Sequence, residues 1–239
     1  MNNFYFEKEN PLKMNNKGFT LVELIVSMAI GLVVMAAIYA ATEMGQRSSV
    51  AIERKVVAQQ EARAALDIMA LEIGMASFNP AFAAGTWVDG PTGTCGNISG
   101  NQTYKGIQEA TATSITIEMD IDASSAIGNA SSEIIRYNYD TGNQYITRST
   151  NCGGGMPFLG AQSGNPRDVR VVNNTAGVPL FKYYDGAGTE LTTLPASIPD
   201  IRRIRITLVV DTEAIDRSLN RRRRTISSTS IIPRNHAIN

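Results

Sequence analysis

From Leu24 to Thr42 the chain is an unbroken run of uncharged, mostly apolar residues, with one acid, Glu23, at its leading edge. At about 1.5 Å per residue its roughly 19 positions predict a helix of about 28 Å, close to the ~30 Å of a bilayer core. Beyond Thr42 the pattern changes character. Ala62, Leu66, Met69, Ile73 and Ala76 recur at spacings of four and three, while Glu53, Arg54, Lys55, Gln59, Gln60, Glu61, Arg63 and Asp67 mark polar faces. That is the signature of an amphipathic helix with a single apolar stripe. No proline interrupts Phe19 to Phe78, and Pro80 disfavours helix at Asn79. One helix over residues 19–79, of about 60 residues and ~90 Å, is therefore predicted, with 19–42 suited to a membrane and 43–79 to packing on a domain.

Past Pro80 the composition shifts to Gly, Thr, Asn and Ser with short runs of alternating polarity. Strands are predicted at Ser114–Met119, Glu133–Tyr139, Gln144–Ser149, Val169–Val172, Leu180–Tyr184, Ile201–Val210 and Thr225–Ile232. Asp140-Thr141-Gly142-Asn143 reads as the turn of a hairpin. An α+β fold follows, a long amino-terminal helix packed on an antiparallel sheet, with residues 80–239 forming one modest head domain. Ala81–Lys105 and Gly153–Asn165 are Gly-rich and read as irregular loops.

The formal net charge of the chain is zero, so bulk charge indicates no polyanionic partner. The distribution is uneven, with nine Arg against four acids from Asp200 onward. Lys13 and Lys17 stand just ahead of the apolar run, which assigns that side to the cytosol and sends the rest outward. The run exceeds the apolar part of a secretory signal and has no Ala-Xaa-Ala site at its end. Export leads to an oxidising compartment, where Cys95 and Cys152 either pair or remain thiols. Pairing would close a loop of about 58 residues and contribute on the order of 4 kcal/mol in the chain-entropy account.

Lys17-Gly18-Phe19-Thr20-Leu21-Val22-Glu23 resembles the processing motif of type IV prepilins and type II secretion pseudopilins. The resemblance implies a leader over residues 1–18, cleavage by a prepilin peptidase after Gly18, and methylation of the new Phe19 amine. Met14 would then be the natural start of a short basic leader. It also implies that 19–42 enters a filament core and that Glu23 orders subunit docking. A carboxylate in an apolar segment needs a cation. The trimmed Phe19 amine, mostly protonated at neutral pH, is the candidate, either in a neighbouring subunit or four residues away on the same helical face. Glu72 to Pro80, Ile135-Arg136-Tyr137 with Thr147-Arg148, Phe181 to Asp185, Ile201 to Leu208 and Ile232 to Asn235 resemble PilW-type minor pilins, and J-type pseudopilins share much of this layout.

The resemblance implies a bacterial inner-membrane subunit that passes into a type IV pilus at the cell surface. Its partners would be prepilin peptidase, other minor and major pilins and the inner-membrane assembly platform, with a role in priming assembly, and a tip position as a further expectation. The alternatives are a pseudopilin of type II secretion and an exported tip adhesin recognising a surface through residues 81–105. No enzyme is expected. There is no Gly-Xaa-Ser-Xaa-Gly, His-Glu-Xaa-Xaa-His or phosphate-loop signature, and the only His, His236, is read as part of a frayed solvated tail. No cofactor or metal is expected: Asp120-Ile121-Asp122-Ala123-Ser124 opens like a calcium loop, yet Ser125 replaces its turn Gly and Ser131 its bidentate Glu. The sequons at Asn97, Asn101, Asn129 and Asn173 are expected by chance in so Asn- and Ser-rich a chain. Arg221, Arg222, Arg223 and Arg224 admit three readings: a solvated turn, a contact with an acidic face of another subunit, or phosphate binding. Nucleic acid is the least favoured, since no aromatic residue interleaves the run.

Overall fold

The structure, a computed structural model, describes residues 18–88, 100–161, 168–216 and 219–237. Leader residues 1–17, including Met14 and Lys17, lie outside them, as do Cys95 and Asn97. Helix α1 (Leu21–Gly74) precedes nine strands among the described residues: β1 (Ile107–Ala110), β2 (Ser114–Glu118), β3 (Ile134–Asp140), β4 (Tyr145–Thr150), β5 (Met156–Leu159), β6 (Val169–Val171), β7 (Phe181–Tyr184), β8 (Arg203–Thr212) and β9 (Arg224–Ile231). The chain divides into two compact units, Met1–Arg47 and Ser48–Asn239.

In the first unit α1 is uncharged and mostly apolar from Leu24 to Thr42, and Leu24, Ile25, Ile30, Val33 and Ile38 are all exposed. It is long and apolar enough to cross a membrane. In the second unit the predicted stripe is the buried one. Ala58, Ala62, Ala65, Leu66, Met69 and Ile73 join the strands in a single core, and the alanines allow close approach of helix and sheet.

The strands form two antiparallel sheets where one was expected. β1 to β5 make a meander in chain order, while β8 pairs with β6, β7 and β9. All seven predicted strands are present within a few residues, and the Asp140 turn is closed by the Asp140 carboxylate, which accepts from the Gly142 and Asn143 N–H groups at 3.0 and 2.8 Å. β1 and β5 were not predicted, and β5 lies inside the segment read as irregular. Only four residues long each, both have too little alternation to register as strands. The division into two sheets comes from β8. Its ten residues take β9 on one edge and β7 and β6 end to end on the other. Tyr hydroxyls tie the sheets together: Tyr139 Oη donates to Val171 C=O and Tyr183 Oη to Thr111 C=O, each at 2.9 Å.

Glu72 clamps the helix to the first sheet. Its carboxylate accepts from the Tyr137 hydroxyl and from Arg148 Nε and Nη2, the latter two at 3.0 and 2.6 Å. Three residues from separate stretches of the pilin-like pattern thus meet at one point.

The helix ends at Gly74, short of the predicted Asn79. Met75, Ala76 and Phe78 donate N–H bonds to the carbonyls three residues back, which tightens the last turn. Ser77, at φ 65°, leaves the helix and donates its N–H to Glu118 C=O at 2.9 Å. A stronger acceptor geometry in β2 therefore ends the helix before Pro80 can. Gly106 makes this junction possible, since a Cβ there would lie 2.3 Å from Ser77 N and 2.4 Å from Glu118 O.

His236 corrects the tail reading. It is fully buried, with Nε2 at 2.9 Å from Ile198 C=O and Nδ1 at 2.8 Å from Ser77 Oγ. A carbonyl only accepts, so Nε2 carries the proton and Nδ1 accepts from Ser77 Oγ, which in turn accepts the Gly106 N–H at 2.9 Å. The tail is held because the ring satisfies both polar groups. Burial, with Lys105 and Arg202 nearby, pushes its pKa down to about 4.

Two predictions follow from this junction. Gly106→Ala should lower unfolding free energy by about 3 kcal/mol, read from denaturant midpoints, while Gly154→Ala, whose Cβ would meet nothing within 4 Å, should be near neutral. Because His236 binds its proton more weakly when folded than the ordinary value of 6.5, its contribution is present above pH 6.5 and is lost as pH falls towards 4. From pH 7 to pH 5 it should amount to about 2 kcal/mol of lost stability, a pH-dependent component that His236→Phe should abolish.

Candidate functional site

Gly18, Phe19 and Thr20 are exposed and non-helical, so the Gly18–Phe19 bond lies in accessible backbone just ahead of α1. Thr20 and Glu23 form a reciprocal cap. Glu23 Oε2 accepts from Thr20 N–H and Thr20 Oγ1, each at 3.0 Å, and Thr20 Oγ1 accepts the Glu23 N–H at 3.3 Å. This capping box satisfies amide donors that the first helical turn leaves orphaned. Both bonds to the carboxylate fall on Oε2, and Oε1 has no partner among the described residues. The Thr-Xaa-Xaa-Glu spacing was present in the sequence and was not read as a cap.

The arrangement suits capture of a cation. The carboxylate is held in one orientation at the start of a helix whose following turns are uncharged and mostly apolar, and its second oxygen meets no donor among the described residues. Lys17 lies outside the described residues; Gly18 and Phe19 are exposed and precede the helix.

The arginine run is not simply a solvated turn. Arg223 Nε lies 2.7 Å from Asp216 Oδ2, Arg224 makes a two-point pair with Asp211 at 2.8 and 3.0 Å, and Arg222 Nε donates to Glu213 C=O at 3.0 Å. Arg224 also opens β9. Lys55, Arg221 and Arg222 have no carboxylate partner among the described residues, and they line an open cavity of about 650 Å³.

Cys152 is disulfide-bonded; Cys95 lies outside the described residues. Cys152 packs on a small separate cluster of Trp87, Val88, Ile127 and Ile134. Around the loop that begins like a calcium site, Asp120, Asp122 and Glu133 bring carboxylate oxygens within 4.8 Å of one another. Glu133, two positions beyond Ser131, was missed because the loop departs from the familiar spacing. These carboxylates are already acceptors: Asp120 takes the Ser124 and Ser125 N–H groups, Asp122 takes Ser124 N–H, and Glu133 takes those of Ile121, Gly128 and Ala130.

Residues 13–39 match the prokaryotic N-terminal methylation motif. No curated protein and no solved structure matches the chain. Together with the α+β fold, the motif supports a type IV pilin-like or pseudopilin protein that prepilin peptidase processes and that is anchored in a membrane through its apolar helix.

Proposed function

We propose that this chain is a minor pilin, most like the PilW type, that takes part in initiating assembly of a type IV pilus, with a place at or near the tip. On this reading it is a structural subunit rather than an enzyme. Prepilin peptidase cuts after Gly18, Phe19 is methylated, and the subunit waits in the inner membrane until it docks with other minor and major pilins on the assembly platform. The observation that supports the reading is Glu23: an oriented carboxylate with one unoccupied oxygen at the head of an apolar helix. In a nonpolar medium that oxygen is poorly solvated, and the protonated amine of an incoming subunit satisfies it without adding a polar residue elsewhere. Docking is thereby fixed in axial register.

A J-type pseudopilin of type II secretion shares the same motif. It would show normal surface fibres and lost secretion when the protein is absent. The adhesin alternative draws on residues 81–105, whose described part includes Phe82, Trp87, Gln102 and Lys105 around a cavity of about 380 Å³. It would show normal fibres and lost attachment. The minor-pilin reading expects fewer fibres.

Mass spectrometry of the membrane-extracted protein should show a mature terminus at methylated Phe19. Retention of Lys17 and Gly18 would contradict the reading. Glu23→Ala should leave cleavage intact and lower recovery in sheared filaments about tenfold. Glu23→Gln keeps a capping side chain but not the charge. It should be equally defective, and full recovery with Gln would show that capping rather than charge is required.

A further inference from the structure

The second sheet has one edge sealed and one edge open. On the sealed edge, β6 and β7 leave a gap along β8 that Asn173 fills. Its Oδ1 accepts Val209 N–H at 2.9 Å and its Nδ2 donates to Thr207 C=O at 2.6 Å, so a side chain completes the ladder where the strands do not.

The open edge is β9. Thr212 N–H donates to Arg223 C=O at 3.0 Å, and the register continues through Val210↔Thr225, Leu208↔Ser227, Ile206↔Thr229 and Ile204↔Ile231. Antiparallel ladders alternate bonded and non-bonded pairs. Thr225, Ser227, Thr229 and Ile231 therefore turn their backbone groups towards β8, and Arg224, Ile226, Ser228 and Ser230 turn theirs outward. Among the described residues no strand pairs with that side. Between Thr225 and Ile232 the edge carries neither Pro nor charge and its register is unbroken; Arg224 at its start is paired with Asp211, and Pro233 lies just past its end. Ile226 and Ile232, on one face of the extended chain, are 64% and 63% exposed.

Charge selects the occupant. Asp216 and Asp211 neutralise Arg223 and Arg224, which leaves Arg221, Arg222 and Lys55 as a positive cluster at the amino-terminal end of this edge. We propose that the free edge of β9 receives an extended strand from a different pilin-type subunit of the same filament, running antiparallel and carrying carboxylates just past its carboxyl-terminal end, where they meet Arg221 and Arg222. The backbone supplies affinity, Ile226 and Ile232 supply apolar contact, and the arginines supply selectivity. A second copy of β9 does not fit: antiparallel self-pairing would set Arg221 and Arg222 near Arg234 of the other copy, placing like charges together at both ends. The proposal rests on the filament reading above.

The test uses the full chain in its own cells. Ser230→Pro removes an outward N–H and leaves the β8 ladder bonds in place. A second variant, Arg221→Glu, reverses charge at an exposed side chain with no carboxylate partner among the described residues, and Arg222→Glu is added to it as a separate step because it also removes the Arg222 Nε bond to Glu213 C=O. A photo-cross-linking amino acid at Ser228 reports the neighbour, identified by its peptides. The expected result is unchanged Phe19 methylation and protein level, a cross-link to another prepilin-type subunit, and about a tenfold loss of that cross-link in both variants. Wild-type cross-linking in both variants, or a cross-link joining two copies of this chain, would overturn the proposal. An unmethylated terminus in the unmodified protein would instead sink the filament reading itself.

Discussion

The junction at Ser77 is the constraint on which the head depends. Gly74 weakens the helix locally, yet Ala76, Phe78 and the preceding stripe would allow it to continue past that point. What stops it is a backbone acceptor in β2, reached only because Gly106 has no side chain to hold the two chains apart. Once Ser77 is fixed there, its hydroxyl becomes the acceptor for Gly106 and the donor for His236, and His236 carries the connection to Ile198 just ahead of β8. Four distant segments, among them the end of the helix and the segment that carries His236, are thus joined by a few directional bonds in a buried site. Such a network tolerates no partial satisfaction, because each group left unpaired there keeps its full desolvation cost.

The two halves of α1 answer to different solvents. From Ala58 to Ile73 the helix is amphipathic and its stripe is consumed by the core. From Leu24 to Thr42 it is uncharged and mostly apolar all round, a composition that water does not favour and that a bilayer or a bundle of like helices does. Glu23 is the exception that makes the apolar half specific. Its bonds to Thr20 stabilise the start of the helix, so the residue has a structural role in the single subunit as well as the docking role proposed for it. A substitution that removes the charge but preserves the cap is therefore more informative than removal of the whole side chain.

Periodicity made the helix, its apolar stripe and seven strands legible, because each is long enough to repeat. β1 and β5 repeat too little, and the splitting into two sheets depends on which strands share β8, which no local pattern records. The helix end was misplaced because Pro80 is a visible local stop, whereas Glu118 C=O is a tertiary one. His236 was misread for the same reason: nearness to the terminus favours fraying, and only long-range partners reverse it. The prepilin-type motif was legible because it is contiguous, and residues 13–39 match it. The cap by Thr20 was equally local, but attention to Glu23 as a charge concealed its use as an acceptor. The pairing of Arg223 and Arg224 with acids was not legible, because Asp216 and Asp211 become neighbours only when β8 turns back into β9.

The proposed latch between Glu23 and a terminal amine would be generic. On that proposal every processed subunit offers the same amine, so the latch would set axial register without selecting the neighbour. Selection has to come from surface that differs among subunits, and it has to act without weakening the register already fixed. A sheet edge meets both conditions. Its backbone bonds are indifferent to side chains and so add affinity for any extended segment, while the charge at one end admits segments of one polarity and rejects others. On the opposite edge of β8 the protein fills even the gap between two strands with Asn173, and among the described residues the same sheet leaves the outer side of β9 unpaired. An edge so exposed is a hazard for a freely diffusing protein. On the proposed function, in which the subunit is held in a membrane until a neighbour arrives, it is a surface that assembly itself would cover.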